Sequence, residues 1–409
     1  MKSNFCIFGG GGMFFRFVVA SVLVAPILCS CALRSFQGSS DVSSKSIKTL
    51  VPTAAERDGY IQNAEVWRPS SVAEKDLLRG PNAEKGYQLG QTVQCRYVEP
   101  EDEEIDGRSN KFYCDKADGD RVKVKYGLDN GEVYAEVAAT RLLWALGFGA
   151  DTVTSVRVEC ANCPADPMVY FQGMSSQGAD EPSAHIVAAG ERKTRIFVPA
   201  AVEEKFKGVK IEMKEDQGWS WKELMNFSSV SPEKQIHREA LGLLMSILQH
   251  PDSKGENQRL VCLKDGIQKS ENGSIRCTKP FAIVQDVGWT FTSGWKAKEV
   301  FTIGKMHFEG WNKTPVWADA KTCLTNLNGL PPMFTGTFEK FRVRESARAF
   351  LAKLLNQLTE KQMNDMFIAS RVEFIGGARQ VSEQDAVVAK WVAALKRKIA
   401  EVNAVRCPQ

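Results

Sequence analysis

His250-Pro251-Asp252-Ser253-Lys254-Gly255-Glu256-Asn257 separates an apolar helical run from an apolar strand-like run. Read as H-x-D-x-K-x-E-N, it sets a carboxylate (Asp252), a cation (Lys254) and an amide (Asn257) in order along one connection. Pro, Asp, Ser and Gly are also ordinary turn residues, so a polar turn closing a helix is the competing reading. Partners elsewhere in the chain decide between the two. Upstream, Glu233 to Gln249 carries Ile236, Ala240, Leu243, Leu244, Ile247 and Leu248 on one stripe, which predicts a helix delivering the chain to this stretch. Downstream, Phe281 to Gln285 predicts a short strand ending in Asp286-Val287-Gly288, and a hairpin inserted between Cys262 and Cys277 accounts for the distance from Asp252.

Further upstream, β-like runs at Gln94 to Val98, Lys111 to Cys114 and Arg121 to Lys125 predict a small β-rich unit. In Val122-Lys123-Val124-Lys125 apolar and basic residues alternate, so both lysines share one face. A helix predicted over Glu132 to Leu146 follows, with Gly147 at its C-terminal end. That order suggests a strand lysine facing a helix glutamate. Just ahead of these elements, Gly107-Arg108-Ser109-Asn110-Lys111 offers small and polar residues suited to donating to phosphate oxygens; the bland alternative is a solvated hairpin tip.

These motifs, taken in order, resemble those of protein kinases. His250 to Asn257 resembles the kinase catalytic loop, and Asp286-Val287-Gly288 resembles the metal-binding D-x-G that closes the next strand. Ala135-Glu136-Val137-Ala138-Ala139 through Leu146-Gly147-Phe148 resembles the corresponding helix of secretory-pathway kinases of the Golgi casein kinase type. A strand lysine, this helix, a catalytic Asp and a metal Asp also resemble HipA-like and lipid-kinase-like atypical kinases. The likeness spans about Gly107 to Gly288. It departs from the family pattern in lacking a full G-x-G-x-x-G before the lysine and in having Pro251 where a basic residue is usual.

The resemblance implies an α+β, two-lobed protein-kinase-like fold, with a small β-rich N-lobe containing one helix and a larger helical C-lobe. It implies ATP and Mg²⁺ as cofactors. Lys125 would be the ATP lysine, with Lys123 in reserve and Glu136 its partner. Ser109, Asn110 and Lys111 would meet the nucleotide, Asn257 and Asp286 would bind Mg²⁺, Asp252 would orient an acceptor hydroxyl, and Lys254 would steady the transferred phosphate.

At the start of the chain, Phe17 to Leu28 is an apolar core of signal-peptide length behind Lys2 and Arg16. Leu28-Cys29-Ser30-Cys31 resembles a bacterial lipobox with Cys31 acylated, although Cys29 departs from the usual pattern; simple cleavage after Ala32 is the alternative. The expectation is an exported lipoprotein, anchored in a membrane and facing the periplasm or cell surface. Beyond Cys31 an even number of cysteines remains: Cys95, Cys114, Cys160, Cys163, Cys262, Cys277, Cys323 and Cys407. In an exported chain that favours disulfides. Cys95 and Cys114, and Cys262 and Cys277, each flank a loop; Cys160-Ala161-Asn162-Cys163 reads as a local disulfide in preference to zinc or a redox centre. That would leave Cys323 to meet Cys407.

The domains expected are 1–31 as leader, 32–86 as tether and peripheral segment, 87–200 as N-lobe and 201–409 as C-lobe. Hydrophobic residues at 43% and charged residues at 25% are ordinary for a globular chain, and a net charge of +4 gives no case for nucleic acid. Met168 to Phe171 and Arg195 to Val198 read as strands. Phe338 to Asn356, Thr359 to Ser370 and Ser382 to Val402 read as amphipathic helices, the second opened by a Thr359-x-x-Gln362 capping box. Trp219 and Trp221 read as packing anchors or as a base-stacking pair, and Trp295, Trp311 and Trp317 as packing under a loop or as an acceptor surface. His185, His237 and His307 show no triad or metal spacing.

The function expected is phosphoryl transfer from ATP to a hydroxyl on a protein or small molecule. The alternatives are a non-catalytic pseudokinase binding module of the cell envelope and AMP transfer on the same scaffold.

Overall fold

A computed structural model describes residues 49–81, 85–100, 109–171, 185–213, 217–226, 231–271, 274–292, 306–327, 340–375, 377 and 380–409. The leader, the lipobox and Cys31 lie outside the described residues, as do Gly107, Arg108 and Trp295. Among the described residues no helix is long and apolar enough to cross a membrane.

The architecture is α+β. Strands Thr92–Tyr97, Lys111–Asp115, Arg121–Tyr126, Lys193–Glu204 and Thr152–Cys163 close into a barrel. Closure leaves no open sheet edge, and the inward positions are apolar: Val93, Phe112, Val122, Val124, Val156, Val158, Ala200 and Val202 share one core. The alternate positions of the same strands look outward, and Ala201 belongs to the larger core beneath the helix Glu132–Leu146. That helix has almost no solvent-facing side, Trp144 being its one residue not fully buried.

A second sheet, in the order Thr49–Leu50, Val209–Ile211, Gln258–Cys262, Pro280–Val284, carries the chain out of the 250–257 stretch and back beside it. Strand Pro280–Val284 pairs antiparallel with Gln258–Cys262 in the register Gln258 to Val284, which sets the chain beyond Val284 next to Asn257. The inserted hairpin is there, as Ile267–Lys269 against Ile275–Cys277. Helices Pro232–Leu248, Glu345–Leu355, Glu360–Ser370 and Val381–Ala404 form the rest of the large core, and Thr359 makes the capping box with Gln362.

All four expected cysteine pairs form: Cys95–Cys114, Cys160–Cys163, Cys262–Cys277 and Cys323–Cys407, with Cα separations of 5.5 to 5.7 Å. Trp219 and Trp221 pack edge to face in the core, and Trp311 and Trp317 are buried, so these act as anchors. His237 is packed between Trp67 and Phe350.

Three expectations are corrected. The stretch taken for tether and peripheral segment is, from Thr49 to Pro81, part of the core: Ile61, Ala64, Val66, Val72 and Leu77 are buried. The boundary set at 200 falls inside strand Lys193–Glu204, whose Ala200 to Glu203 pair with Arg121–Tyr126. The helix expected from Phe338 starts only at Glu345, because Arg342 bridges to Leu324 in extended backbone ahead of it.

Candidate active site

Lys125 is where the outward face of the barrel meets the helix. Val122 and Val124 fill the barrel, so Lys123 and Lys125 point the other way, and the helix Glu132–Leu146 covers Lys125 until it is 2% exposed. A buried ammonium needs partners. Lys125 Nζ lies 2.7 Å from Glu132 Oε2, 2.5 Å from Glu136 Oε1 and 4.0 Å from Asp286 Oδ2. Glu132 and Glu136 sit one helical turn apart on one face, so the lysine separates charges that would otherwise repel. Burial alone would lower the Lys125 pKa, but Asp286, Glu132 and Glu136 outweigh it and hold the ammonium well above its ordinary value.

Asp286 arrives from the opposite side, at the end of strand Pro280–Val284. Its Oδ1 accepts the Gly288 N–H at 3.0 Å. Burial works to raise its pKa, yet Lys125, Lys123 and this N–H hold the carboxyl far below the usual range. Gly288 is fixed by sterics: a Cβ there would come within 2.6 Å of Glu132 Cγ. Burial pushes the Glu136 carboxyl upward against the pull of Lys125, with Asp286 and Glu132 adding to the rise. Glu136 Oε2 is buried with no hydrogen-bond partner.

Carboxylate oxygens of Glu132, Glu136 and Asp286 lie within 4.8 Å of one another. Three carboxylates around the Lys125 ammonium, which bonds two of them, together with an unpartnered buried oxygen, fit a hard divalent cation with oxygen ligands. These residues, with Asn257 close by, would hold it.

The 250–257 stretch is stitched to Asp286 through the backbone. Asn257 O accepts N–H bonds from both Gln285 and Asp286 at 3.0 Å, and Asn257 Nδ2 donates to Asp252 O at 2.8 Å. Asp252 Oδ1 is buried with no hydrogen-bond partner. Burial, then Asp286, pushes its pKa up to about 6, against Lys254 and Asn257. Lys254 Nζ pairs with Glu256 at 3.0 Å and is raised, burial opposing and Glu256 and Asp252 prevailing. His250 is wholly buried, and burial drives its pKa down to about 4.

The residues ahead of the barrel lysine divide. Ser109 Oγ donates to Glu132 Oε2 at 2.8 Å, which brings it into the cluster. Asn110 serves the turn, its carbonyl accepting from Tyr126 N–H and Asn130 Nδ2. Lys111, the last residue of the 107–111 stretch, opens the expected strand, is buried, and lies directly across from Lys125. Burial first, then Lys125, pulls its ammonium down to about 8. Lys123 turns to Glu203 at 3.6 Å. Glu132 was not singled out in the sequence; the signal available was its spacing of one helical turn from Glu136.

No protein-family model matches this chain, and no curated protein matches it in sequence. Among solved structures it is similar to the Helicobacter pylori proinflammatory kinase CtkA, at 8% identity and a TM-score of 0.38 over 77% of this chain and 97% of that one. It is also similar to the Golgi casein kinase, at 10% identity and a TM-score of 0.29, and to that kinase with Mn/ADP bound, at 12% and 0.30; each match covers 77% of this chain and 74% or 73% of the other. These overlaps are faint, and the side chains themselves carry the functional reading.

Proposed function

We propose that this chain is an exported, two-lobed, kinase-like phosphotransferase that moves a phosphoryl group from Mg·ATP to an acceptor hydroxyl. The observation that carries the reading is convergence. A barrel lysine, two helix glutamates and Asp286 meet at one point, and the Asp286 N–H is bonded to the same Asn257 whose side chain ties down Asp252.

In this reading Lys125, held by Glu136, contacts the nucleotide phosphates, and the buried Lys111 beside it adds a second cation. Asp286, Glu132 and Asn257 hold Mg²⁺, which when bound offsets the charge of the phosphates. Asp252, with an oxygen that no protein group occupies and a pKa of about 6, accepts the hydrogen bond of the acceptor hydroxyl and takes its proton. Lys254 steadies the transferred group. The four cysteine pairs support an oxidising compartment and with it an exported placement; the lipid anchor at Cys31 rests on the lipobox-like sequence.

The test is incubation with Mg·ATP and candidate acceptors, followed by intact-mass measurement. Added phosphate supports the proposal; added AMP would mean the nucleotide lies reversed, and no adduct alongside tight nucleotide binding would mean a binding module. Asp286→Ala is expected to lose Mg²⁺-dependent nucleotide binding and turnover while remaining folded, because Asp286 belongs to the site and is one-third exposed. Wild-type Mg·ATP affinity in that variant would remove Asp286 from the metal site.

A further inference from the structure

The helix Glu132–Leu146 presents Glu132 and Glu136 to Lys125, so its position along its own axis decides whether the cluster closes. Glu136 Oε2 is buried with no hydrogen-bond partner, so the helix already meets the cluster with one carboxylate oxygen unsatisfied. One residue of helix rises ~1.5 Å, while ligand distances at a metal tolerate only about 0.2 Å, so a fraction of a residue's slip would open the site.

The segment Ala64 to Gly80 opposes that slip at the far end. A helix C-terminus leaves carbonyls unpaired. Here the segment takes them up: Trp67 Nε1 donates to Leu146 O at 2.7 Å, Ser70 Oγ to Ala145 O at 2.8 Å, and Arg68 N–H to Gly147 O at 2.9 Å. The approach is close enough to demand glycine, since a Cβ at Gly147, where φ is +90°, would lie 2.2 Å from Arg68 O. Arg141 adds a second fastening on the helix itself. It is buried, and reaches Leu77 O in the segment at 3.0 Å and Val153 O in the barrel at 2.8 Å.

The segment is in turn anchored to other helices. Gln362 Nε2 donates to Val72 O at 2.7 Å and Lys75 O at 2.8 Å, and Arg238 Nη2 donates to Ala64 O at 3.0 Å. A strand of chain that bonds the helix end on one side and two separate helices on the other is a brace.

We infer that Ala64 to Gly80 is a positioning clamp, which holds Glu132 and Glu136 at the depth where they meet Lys125 and Asp286 before any nucleotide arrives. Its bonds run to the helix, and it acts through the helix. The inference rests on the phosphotransfer reading for its consequence and on the hydrogen bonds alone for its mechanics.

The test pairs two readouts on the full chain. Trp67→Phe with Ser70→Ala removes two of the carbonyl bonds while keeping the ring against His237 and Phe350. Hydrogen exchange without nucleotide is expected to speed up along the helix as far back as Glu136, and Mg·ATP binding to weaken about tenfold, the scale of two ordinary hydrogen bonds. Lys398→Met serves as the control; it removes the buried bond that Lys398, in the C-terminal helix, donates to Thr314 O, and is expected to lower the melting temperature without changing either readout.

Faster exchange confined to 143–147 with unchanged Mg·ATP affinity would overturn the clamp, as would the same response from Lys398→Met. Should the wild type bind no nucleotide, the phosphotransfer reading falls, and exchange at Glu136 alone decides the clamp.

Discussion

The helix cluster and the 250–257 stretch hold charge in opposite ways. Around Lys125 opposite charges meet: Glu132, Glu136 and Asp286 surround it and Ser109 fills a further position on Glu132, although Glu136 Oε2 is left without a hydrogen-bond partner. In the other region the carboxylate is left incomplete. Asp252 Oδ1 is buried with no partner, and Lys254 is drawn to Glu256. A cluster whose charges pair can contribute to folding; a carboxylate oxygen buried without a donor costs stability. Substitutions in the two regions should therefore change stability with opposite sign.

The largest effect is expected from Lys125→Met. Removing one partner from a buried ionic cluster leaves carboxylates facing each other and typically costs about 3–5 kcal/mol. Nucleotide binding should vanish as well. With the ammonium gone, the carboxylate pKa values in the folded state rise above their unfolded values. Stability is then retained where the acids are protonated in both states and lost as pH rises through the folded pKa values. Chemical denaturation should show a deficit that is greatest near pH 8 and shrinks below about pH 4–5. A deficit independent of pH would mean that lost packing, and not the uncompensated charge, accounts for it.

What the sequence disclosed follows the same division between local and distant causes. Lys125, Glu136 and Asp286 were legible because strand alternation, a helix pattern and a strand-end Asp-x-Gly are local signals read in order. The disulfide pairs were legible because three of them close short loops. The strand opening at Lys111 was legible too, but its place across from Lys125 was not, because that register is a relation between strands that neither strand announces. Residues 49–81 were misread because their attachments lie far away in sequence: Gln362 to Val72 spans 290 residues and Arg238 to Ala64 spans 174. Those bonds run to backbone carbonyls, which leave no side-chain pattern in the segment they fasten.

Asp252→Asn is the counterpart experiment in the second region. Loss of a general base usually costs ~10²–10⁴ in turnover, while ground-state Mg·ATP binding should stay within a few-fold of wild type. The folded pKa of Asp252 is raised from 3.8 to about 6, so its ionisation penalises the fold. That penalty is absent below the unfolded value, grows across the window between the two, and is complete above about pH 6. The amide removes it, and the variant should be more stable than wild type above pH 6 by roughly 1–2 kcal/mol after allowing for partial exposure. A variant that is both inactive and less stable at pH 7 would make Asp252 a structural residue and end the comparison.

The smallest effect sharpens the boundary between the regions, because Lys111 borders the paired cluster yet is poised to titrate. Its pKa is lowered from 10.5 to about 8, burial first and Lys125 second, so its charge is present below that value and lost as pH rises through it. Asp252 must be ionised to act as base, which requires pH above about 6. The free-enzyme profile of kcat/KM should then be bell-shaped, with an acid limb from Asp252 and an alkaline limb from Lys111. Lys111→Arg keeps the cation at every accessible pH, because a guanidinium does not lose its proton there. The alkaline limb should move up by about one pH unit or more while the acid limb stays in place. Arginine is bulkier in a buried strand position, so some loss of overall rate is expected, but a uniform loss does not move a limb. An alkaline limb that remains near 8 in Lys111→Arg would assign that titration to another group and remove Lys111 from the phosphate contacts.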